Sequence, residues 1–341
     1  MLERRRGRGP TRLLHANSAH GAIAAVLGSL VLLLACANSV QAQTYPVRPV
    51  KVIVAYPPGT SGDFSTRVYT PKLSEVFGQS FVVDNRAGAG GIIGAEAAAR
   101  SAPDGYTLMT NTVSFAIQQS LSKDLSFDIV KDFDHISIFA SIPYVIAVHP
   151  SVPAKSMKEL IAYARANPGK LTYGSGGNGS GIHLATELLK LQANIDMLHV
   201  PYKGSSQATT DLLAGRISLL FAGQLLGQVR AGKVRGLAVT SLYRSELAPE
   251  LPTVTESGVP GFEAGSWSGL SAPKGVPKDI IVRLNAEVTK ISNTPEAHKQ
   301  LSSQSAAEPR PGTADEASAY VANEVAKWRK VIITAKIQPE Q

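Results

Sequence analysis

Residues 50–63 read VKVIVAYPPGTSGD, and this stretch decides the fold. Its first six residues are mostly apolar and β-branched, which is typical of a strand buried in a parallel sheet. Two prolines and a glycine then break the strand, and residues 61–77 have the pattern of a helix. A buried strand, a tight turn and a helix form the repeating unit of α/β proteins.

The same alternation continues along the chain. It predicts further strands at 81–83, 106–109, 144–148, 171–173, 197–200, 217–221 and 234–240, with helices between most of them. A Pro/Gly-rich stretch at 249–265 precedes two more predicted helices. The last of these begins at Thr313, which has the capping-box spacing to Glu316. The pattern predicts an α/β protein with two parallel-sheet lobes of similar size.

The first 42 residues have the parts of a secretory signal. An Arg-rich opening precedes an apolar run from Ala22 to Ala37, and Val40-Gln41-Ala42 supplies the small residues of a cleavage site. The apolar run is short for a membrane span, which needs about 20 residues. The only cysteine, Cys36, follows Leu-Leu-Ala as in a lipobox. We expect removal with the signal, and acylation of Cys36 remains the alternative. Both lead to a periplasmic protein without a disulfide.

Composition excludes several classes of protein. The 341 residues are enough for two domains, and 44% hydrophobic with 18% charged residues is typical of a folded chain. The net charge is +8, but the first fourteen residues contribute +4 of it. The rest of the chain has no Lys/Arg cluster, so nucleic acid is not an expected partner.

Four turns between strands and helices are rich in glycine and small polar residues. They are residues 57–63, 84–91, 174–181 and 201–206. Each is expected at the carboxyl edge of a sheet and at the start of a helix, where open α/β sheets bind ligands. Helix N-termini expose unpaired N–H groups and attract anions. The turns therefore predict a site that can hold a carboxylate without a dedicated cation.

These turns, in this order, closely resemble the Bug-type substrate-binding proteins of tripartite tricarboxylate transporters. The resemblance covers nearly the whole chain after the signal. Its motifs are PPGTSGD (57–63), DNRAGAGGIIGA (84–95), APDGYTL (102–108), GSGGNGSGIHLATELLK (174–190), HVPYKG (199–204), LAVTS (237–241), LPTVTESGVPGFE (251–263) and APKGVP (272–277).

The resemblance implies a two-lobed periplasmic binding protein of the Venus-flytrap type, each lobe a mainly parallel sheet flanked by helices. Lobe 1 is expected at 43–143 plus 266–341, and lobe 2 at 144–265. It implies a small carboxylate ligand, no cofactor, no metal, a monomer, no catalysis, and a membrane permease or a sensor kinase as partner. The implied ligand-binding residues are Pro58, Gly59, Thr60, Asp63, Gly88, Ala89, Gly90, Ser175, Gly176, Asn178, Ser180, Tyr202 and Lys203.

One departure from the family pattern bears on the ligand. Many relatives carry an aspartate just after the strand that here reads Leu219-Leu220-Phe221, where it could pair with a ligand ammonium. This chain has Ala222-Gly223-Gln224 instead. The departure favours a plain mono- or dicarboxylate, including aromatic acids, over an amino acid.

An α/β enzyme acting on a small carboxylated or nucleotide ligand is the alternative. Gly88, Gly90 and Gly94 are spaced GxGxxxG, which differs from the dinucleotide-binding GxGxxG. Ser180 lies in NGSGI and therefore lacks the GxSxG elbow of hydrolases. His183 and Glu187 share a helix face without an HExxH motif, so we interpret them as a helix-face contact.

Overall fold

The computed structural model describes residues 45–122, 125–305 and 307–338. The predicted signal segment 1–42, with Cys36, lies outside the described residues. In the ranges described, no helix is both long enough and apolar enough to cross a bilayer.

The strands of the described ranges form two sheets. The first sheet has six strands in the order β11-β4-β10-β3-β1-β2. Their bounds are β1 Val50–Val54, β2 Phe81–Asn85, β3 Thr107–Thr112, β4 Phe133–Pro143, β10 Gly265–Pro273 and β11 Glu308–Pro309. The register shows that β1 to β4 run in one direction, whereas β10 and β11 run in the other.

The second sheet has five strands in the order β7-β6-β8-β5-β9. Their bounds are β5 Val145–Val148, β6 Thr172–Ser175, β7 Leu198–Pro201, β8 Leu219–Ala222 and β9 Arg235–Val239. β5 is antiparallel to both of its neighbours, so the other four strands share one direction. Four strands of each sheet therefore share one direction, whereas five of the nine strand pairs are antiparallel, so both sheets are mixed.

Helices connect and cover these strands. Their bounds are α1 Ser61–Phe77, α2 Ile92–Ala99, α3 Val113–Leu121, α4 Met157–Ala166, α5 Gly181–Ala193, α6 Ser205–Leu213, α7 Leu225–Arg230, α8 Lys278–Ser292, α9 Pro295–Ser305 and α10 Ala314–Thr334. The predicted capping box opens α10, because Thr313 Oγ1 accepts from the Glu316 N–H and Glu316 accepts from the Thr313 N–H. A short 3₁₀ turn, Ala89–Gly91, precedes α2.

The chain passes twice between the two sheets, and we call these two passages the crossings. β4 of the first sheet ends at Pro143 and β5 of the second begins at Val145, while β10 begins the return at Gly265. Thr240 links both crossings. Its Oγ1 accepts from the Tyr144 N–H at 2.7 Å, and its carbonyl accepts from the Ala264 N–H at 3.0 Å.

A buried carboxylate lies against the return crossing. Glu324 on α10 accepts hydrogen bonds from the indole N–H of Trp267 on β10 and of Trp328, each at 2.9 Å. Both tryptophans are fully buried. The other carboxylate oxygen of Glu324 forms an ion pair with Lys327. One side chain thus satisfies three donors and ties the last helix to β10.

Gly94 shows why the second glycine-rich turn needs small residues. A Cβ at Gly94 would lie 2.6 Å from the Ala55 Cβ and 2.8 Å from both the Ala55 Cα and the Arg86 carbonyl oxygen. Real Cβ atoms do not approach this closely, so α2 packs directly on the backbone at the end of β1. The third glycine of GxGxxxG therefore serves helix–strand packing.

Gly94→Ala is expected to lower the free energy of unfolding by about 1–3 kcal/mol, because the backbone contacts cannot rotate away as a flexible side chain would. Gly227→Ala is the matched control, since a Cβ at this helical glycine meets no atom within 4 Å. It should leave stability unchanged or raise it by up to about 1 kcal/mol. Urea unfolding followed by circular dichroism measures both. Equal stabilities for the two variants would contradict the packing argument.

Candidate functional site

A cleft of about 780 Å³ is bordered by residues from both sheets and their connections. The first sheet's side contributes the turn after β1 and the start of α1. The second sheet's side contributes the starts of α5 and α6 and the segment from β8 through α7. The lining residues are Gly59, Ser61, Asp63, Phe64, Arg67, Ile142, Tyr144, Ile182, Ser205, Ala222, Gly223, Gln224, Leu226, Gly227, Arg230, Ser266, Ser302 and Ser303.

Asp63 anchors the first turn. It is 2% exposed and accepts hydrogen bonds from the Gly59 N–H at 2.9 Å, from Asn85 Nδ2 at 2.9 Å and from Arg67 Nε at 3.0 Å. Asn85 also donates to the Tyr56 carbonyl at 3.0 Å. The carboxylate therefore fixes the turn after β1, the end of β2 and the first turns of α1 relative to one another.

These contacts keep Asp63 ionised. Burial alone favours the neutral acid, but the hydrogen bonds from Arg67, the Gly59 N–H and Asn85 outweigh it and lower the pKa of Asp63 below its ordinary value. Arg67 is half exposed, and its Nη2 donates to Asn85 Oδ1 at 3.0 Å. Its charge is paired with Asp63 while its outer edge faces the cleft.

Two helix N-termini on the cleft have no side-chain cap. α1 begins after Thr60, whose hydroxyl instead donates to the Pro57 carbonyl at 3.0 Å. α6 begins after Gly204, which has no side chain to cap it. Ser61 and Ser205, the first residues of the two helices, both line the cleft. Uncapped N–H groups and the positive end of each helix dipole thus lie on opposite walls.

The charged side chains that line the cleft leave a positive surplus. Within the described lining they are Asp63, Arg67 and Arg230, and Asp63 is paired with Arg67. Arg230, at the end of α7, donates to the Leu247 carbonyl, and no described acid forms an ion pair with it. The arrangement suits an anion that contacts both walls.

Comparison with known proteins identifies the family. The sequence profile described as "Tripartite tricarboxylate transporter family receptor" matches residues 66–337. The chain belongs to this receptor family. The predicted resemblance is thereby confirmed.

Curated relatives agree with this assignment. BugT from Bordetella pertussis is 36% identical over 312 residues, covering 90% of this chain and 95% of BugT. A UPF0065 protein from the tcbD-tcbE intergenic region of Pseudomonas sp. strain P51 is 38% identical, covering 87% of this chain and 89% of the relative.

Solved structures of the receptor family share the fold. Rpa4515 of R. palustris, solved with adipate, is 36% identical with a TM-score of 0.71, covering 87% of this chain and 100% of its own. MatC (Rpa3494) from Rhodopseudomonas palustris, with bound malate, is 28% identical with a TM-score of 0.67, covering 84% and 100%. A TctC solute binding protein from Polaromonas, without ligand, is 27% identical with a TM-score of 0.78, covering 85% and 100%. These likenesses confirm the predicted two-lobed α/β fold class.

The structure places the thirteen predicted site residues in different surroundings. Gly59 and Asp63 line the cleft, and Pro58 and Thr60 flank Gly59 in the same turn. The second turn, with Gly88, Ala89 and Gly90, lies beside α3, where Gln118 Nε2 donates to the Gly90 carbonyl at 2.8 Å.

Several side chains of the third and fourth turns form hydrogen bonds within the protein. Ser180 caps α5 by accepting from the His183 N–H, and Asn178 Nδ2 donates to the Gln338 carbonyl at 2.8 Å. The Tyr202 hydroxyl donates to Asp211 Oδ2 at 2.8 Å, and Lys203 is exposed.

The turns nevertheless approach one another. A Cβ at Gly176 would lie 3.6 Å from the Ser205 backbone nitrogen, so the third turn lies against the fourth. A Cβ at Gly181 would lie 2.9 Å from the Tyr144 hydroxyl, and Tyr144 lines the cleft. Ser175 is fully buried beneath its turn. The roles of the thirteen residues in ligand binding remain predictions.

Sequence reasoning missed two cations on the cleft. Arg67 follows Asp63 by four residues on a predicted helix, a spacing that brings opposite charges together and could have revealed it. Arg230 carried no such signal, because its place on the cleft depends on how α7 packs. Ser205, Gln224 and Ser266 were also missed, although Gln224 Nε2 donates to Ser205 Oγ at 3.0 Å.

His183 and Glu187, interpreted above as a helix-face contact and not as metal ligands, form hydrogen bonds with different partners. His183 Nδ1 accepts from the Gly179 N–H at 3.0 Å. Glu187 Oε1 accepts from the Tyr173 hydroxyl at 2.5 Å and from Lys190 at 2.8 Å. Within the described ranges, no group of three or more His, Cys, Asp or Glu side chains is arranged to hold a metal ion.

Proposed function

We propose that this receptor-family member is a periplasmic binding protein that captures a small carboxylate in the 780 Å³ cleft for uptake or sensing, without catalysis. The observation that carries the proposal is the pair of uncapped helix N-termini, at Thr60 and Gly204, on opposite walls of one cleft that also holds Arg67 and Arg230. Backbone N–H groups and helix dipoles bind carboxylates in this way.

The relatives support the ligand class. Adipate and malate, with which two similar proteins were solved, are both dicarboxylates. The cleft's unpaired Arg230 gives a second acidic group a partner, and no acid in the described lining is free to bind an ammonium, because Asp63 is already paired. A plain carboxylate therefore fits the cleft better than an amino acid.

The remaining parts of the proposal concern organisation and location. We propose that lobe 1 comprises 43–143 plus 266–341 and lobe 2 comprises 144–265, since the strands of each sheet come from one of these sets apart from Gly265. The similarity to the solved structure of the periplasmic binding protein BugD supports a periplasmic location. Export through residues 1–42, a monomeric state, and a permease or sensor kinase as partner complete the proposal.

The proposal is tested by placing a negative charge on one of the two helix starts. Ser205→Asp should weaken binding of adipate and malate by at least about tenfold, because the new carboxylate occupies the N-terminal N–H groups that the ligand would use. Isothermal titration calorimetry of the exported protein measures this.

Ser206→Asp provides the matched control. Ser206 lies in the same first turn of α6, is exposed and does not line the cleft. Its aspartate should leave affinity within about twofold, because position 206 lies outside the cleft lining, whereas any effect on the stability of the helix is shared by both variants. Equal losses in the two variants, or a product formed from either acid, would contradict the proposal.

A further inference from the structure

Three aromatic rings are stacked beneath the third glycine-rich turn. The rings of His183 on α5 and His199 on β7 are parallel, with centroids 3.9 Å apart. Tyr173 on β6 lies close to both imidazoles, with its ring centroid 4.9 Å from that of His199 and 6.3 Å from that of His183. His183 and Tyr173 are buried, and His199 is partly buried. The proposed carboxylate site makes no direct use of these rings.

Both imidazoles hold the turn at residues 175–180. His183 Nδ1 accepts from the Gly179 N–H at 3.0 Å. His199 Nε2 is 2.7 Å from Ser175 Oγ. The same hydroxyl accepts from the Gly177 N–H at 3.1 Å and is 3.0 Å from the Gly177 carbonyl, to which it can donate. Gly177 and Gly179 have positive φ, and the other bonds of the turn include Ser180 N–H to the Gly177 carbonyl at 3.2 Å and Asn178 Nδ2 to the Gln338 carbonyl at 2.8 Å.

The bond to Gly179 depends on the charge of the ring. A backbone N–H can donate to Nδ1 only while that nitrogen carries no proton. Protonation of His183 would place an Nδ1–H against the Gly179 N–H, so that two donors would face each other. It would also place a positive charge on a ring whose centroid is 3.9 Å from that of the neighbouring imidazole. The observed geometry therefore requires an uncharged His183.

The turn is next to the cleft. A Cβ at Gly176 would lie 3.6 Å from the nitrogen of Ser205, and a Cβ at Gly181 would lie 2.9 Å from the Tyr144 hydroxyl. Ser205 and Tyr144 both line the cleft, as does Ile182 in the first turn of α5. A change in the turn would displace the start of α6 and the cleft wall.

We propose that His183 and His199 are positioning residues, which hold the 175–180 turn and the adjoining cleft wall in the binding shape only while His183 is uncharged, so that acid loosens the turn and weakens ligand binding. The ligand part of this inference rests on the proposed function. The turn part does not.

The charged groups around the rings come from every neighbouring element. Among the described residues, α5 supplies Glu187 and Lys190, which pair at 2.8 Å, and β6 supplies Tyr173. Asp196, in the segment between α5 and β7, lies 3.8 Å from Lys190. Glu187 favours a protonated imidazole, but it is already bonded to Tyr173 and Lys190.

The direction of the pH effect follows from these surroundings. Burial, with His199 and Lys190 adding to it, lowers the pKa of His183 to about 3. Burial also lowers the pKa of His199, opposed by Glu187 and assisted by Lys190. An opened turn would return each ring to its ordinary pKa near 6.5. Below that pH the open turn binds more protons than the closed one, so its population rises by up to about tenfold per pH unit for each histidine.

Hydrogen exchange of the 175–181 amides at pH 7.5 and 5.0, corrected for intrinsic rates, tests the inference. In the wild-type protein protection should fall at least about tenfold at pH 5.0. The double variant His183→Asn, His199→Gln keeps an acceptor near each original nitrogen but cannot be protonated. Its protection should change by less than about threefold. His183→Leu, which has no acceptor, should expose the turn at both pH values.

His149→Gln is the matched control, because His149 lies outside the stack and contacts Ser151. It should keep the wild-type pH response.

The affinities for adipate and malate, measured in parallel, should follow the exchange. A flat wild-type profile, or a double variant that responds like wild type, would overturn the inference even if both acids bind. A responsive turn with no binding of either acid would support the positioning role and count against the proposed function instead. Should the double variant fail to fold, His183→Asn alone provides the comparison.

Discussion

Replacing Glu324 by alanine is expected to lower the free energy of unfolding by about 3–5 kcal/mol, as does removal of one partner from other buried ion pairs. The change leaves the indole N–H groups of Trp267 and Trp328 without their acceptor. It also leaves Lys327, only 25% exposed at its side chain, without its counter-charge. Because both tryptophans are fully buried, water cannot replace the lost acceptor without rearrangement.

Two further variants separate the contributions. Glu324→Gln keeps an oxygen for the indoles but loses the ion pair with Lys327, so it should retain part of the stability. Asn323→Ala, at the exposed neighbouring position on α10, should change stability by less than about 0.5 kcal/mol. Urea unfolding followed by circular dichroism measures all three. A loss below about 1 kcal/mol in Glu324→Ala would show that the crossing does not depend on this carboxylate.

Asp63→Ala is expected to damage binding and stability together. The substitution removes the acceptor of the Gly59 N–H, of Asn85 and of Arg67. We expect the free energy of unfolding to fall by about 2–3 kcal/mol. This is less than the sum for three separate charge-assisted hydrogen bonds, because Arg67 is half exposed and can form hydrogen bonds with water instead. Affinity for adipate and malate should fall at least about tenfold, since the turn before α1 and the Arg67 side chain are no longer fixed.

Asp84→Asn is the control for Asp63. Asp84 also pairs with an arginine, Arg86, and with Lys51 at 3.8 Å, but at a partly exposed position on β2 away from the cleft lining. A surface pair contributes little, so stability should change by less than about 1 kcal/mol and affinity by less than about twofold. Unchanged affinity in Asp63→Ala, measured by calorimetry, would mean that the anchored turn does not contribute to the site.

Much of the parallel part of the fold could be predicted from the sequence. The β-branched run at 50–55 and the break at Pro57 and Pro58 led to β1 and to α1, whose predicted bounds 61–77 match the structure. These elements depend on the hydrophobic pattern and on the turn residues, and both can be recognised in a short stretch of consecutive residues.

β4, β10 and β11 could not be predicted in this way, whereas β5, the reversed strand of the second sheet, was predicted. β10, with the sequence GSWSGLSAP, contains mostly small and polar residues, yet it is buried along most of its length. Gly269 lies where a Cβ would be 2.6 Å from the Ser137 carbonyl oxygen of β4. Close packing between two strands distant in sequence selects such small residues, and no local periodicity marks them. β4 and α3 were missed, and the C-terminal part contains α8, α9 and α10 where two helices were predicted.

The candidate site could likewise be predicted only in part. The glycine-rich turns and their helix starts were predictable because each motif is contiguous. The Asp63–Arg67 pair has a helical spacing and could have been anticipated. Arg230 could not, since only the packing of α7 brings it to the cleft. Sequence reasoning also assigned ligand contacts to Ser180 and Tyr202, whose side chains the structure shows in local hydrogen bonds.

The shared carboxylate of Glu324 gives the protein a built-in optical probe. The chain has two tryptophans, and both indoles end on the same oxygen atom beside the strand that returns between the sheets. Tryptophan fluorescence therefore originates from one small buried region and has no contribution from tryptophans at the surface. A change in emission colour or lifetime during a titration reports on that returning strand, and no dye or label has to be attached.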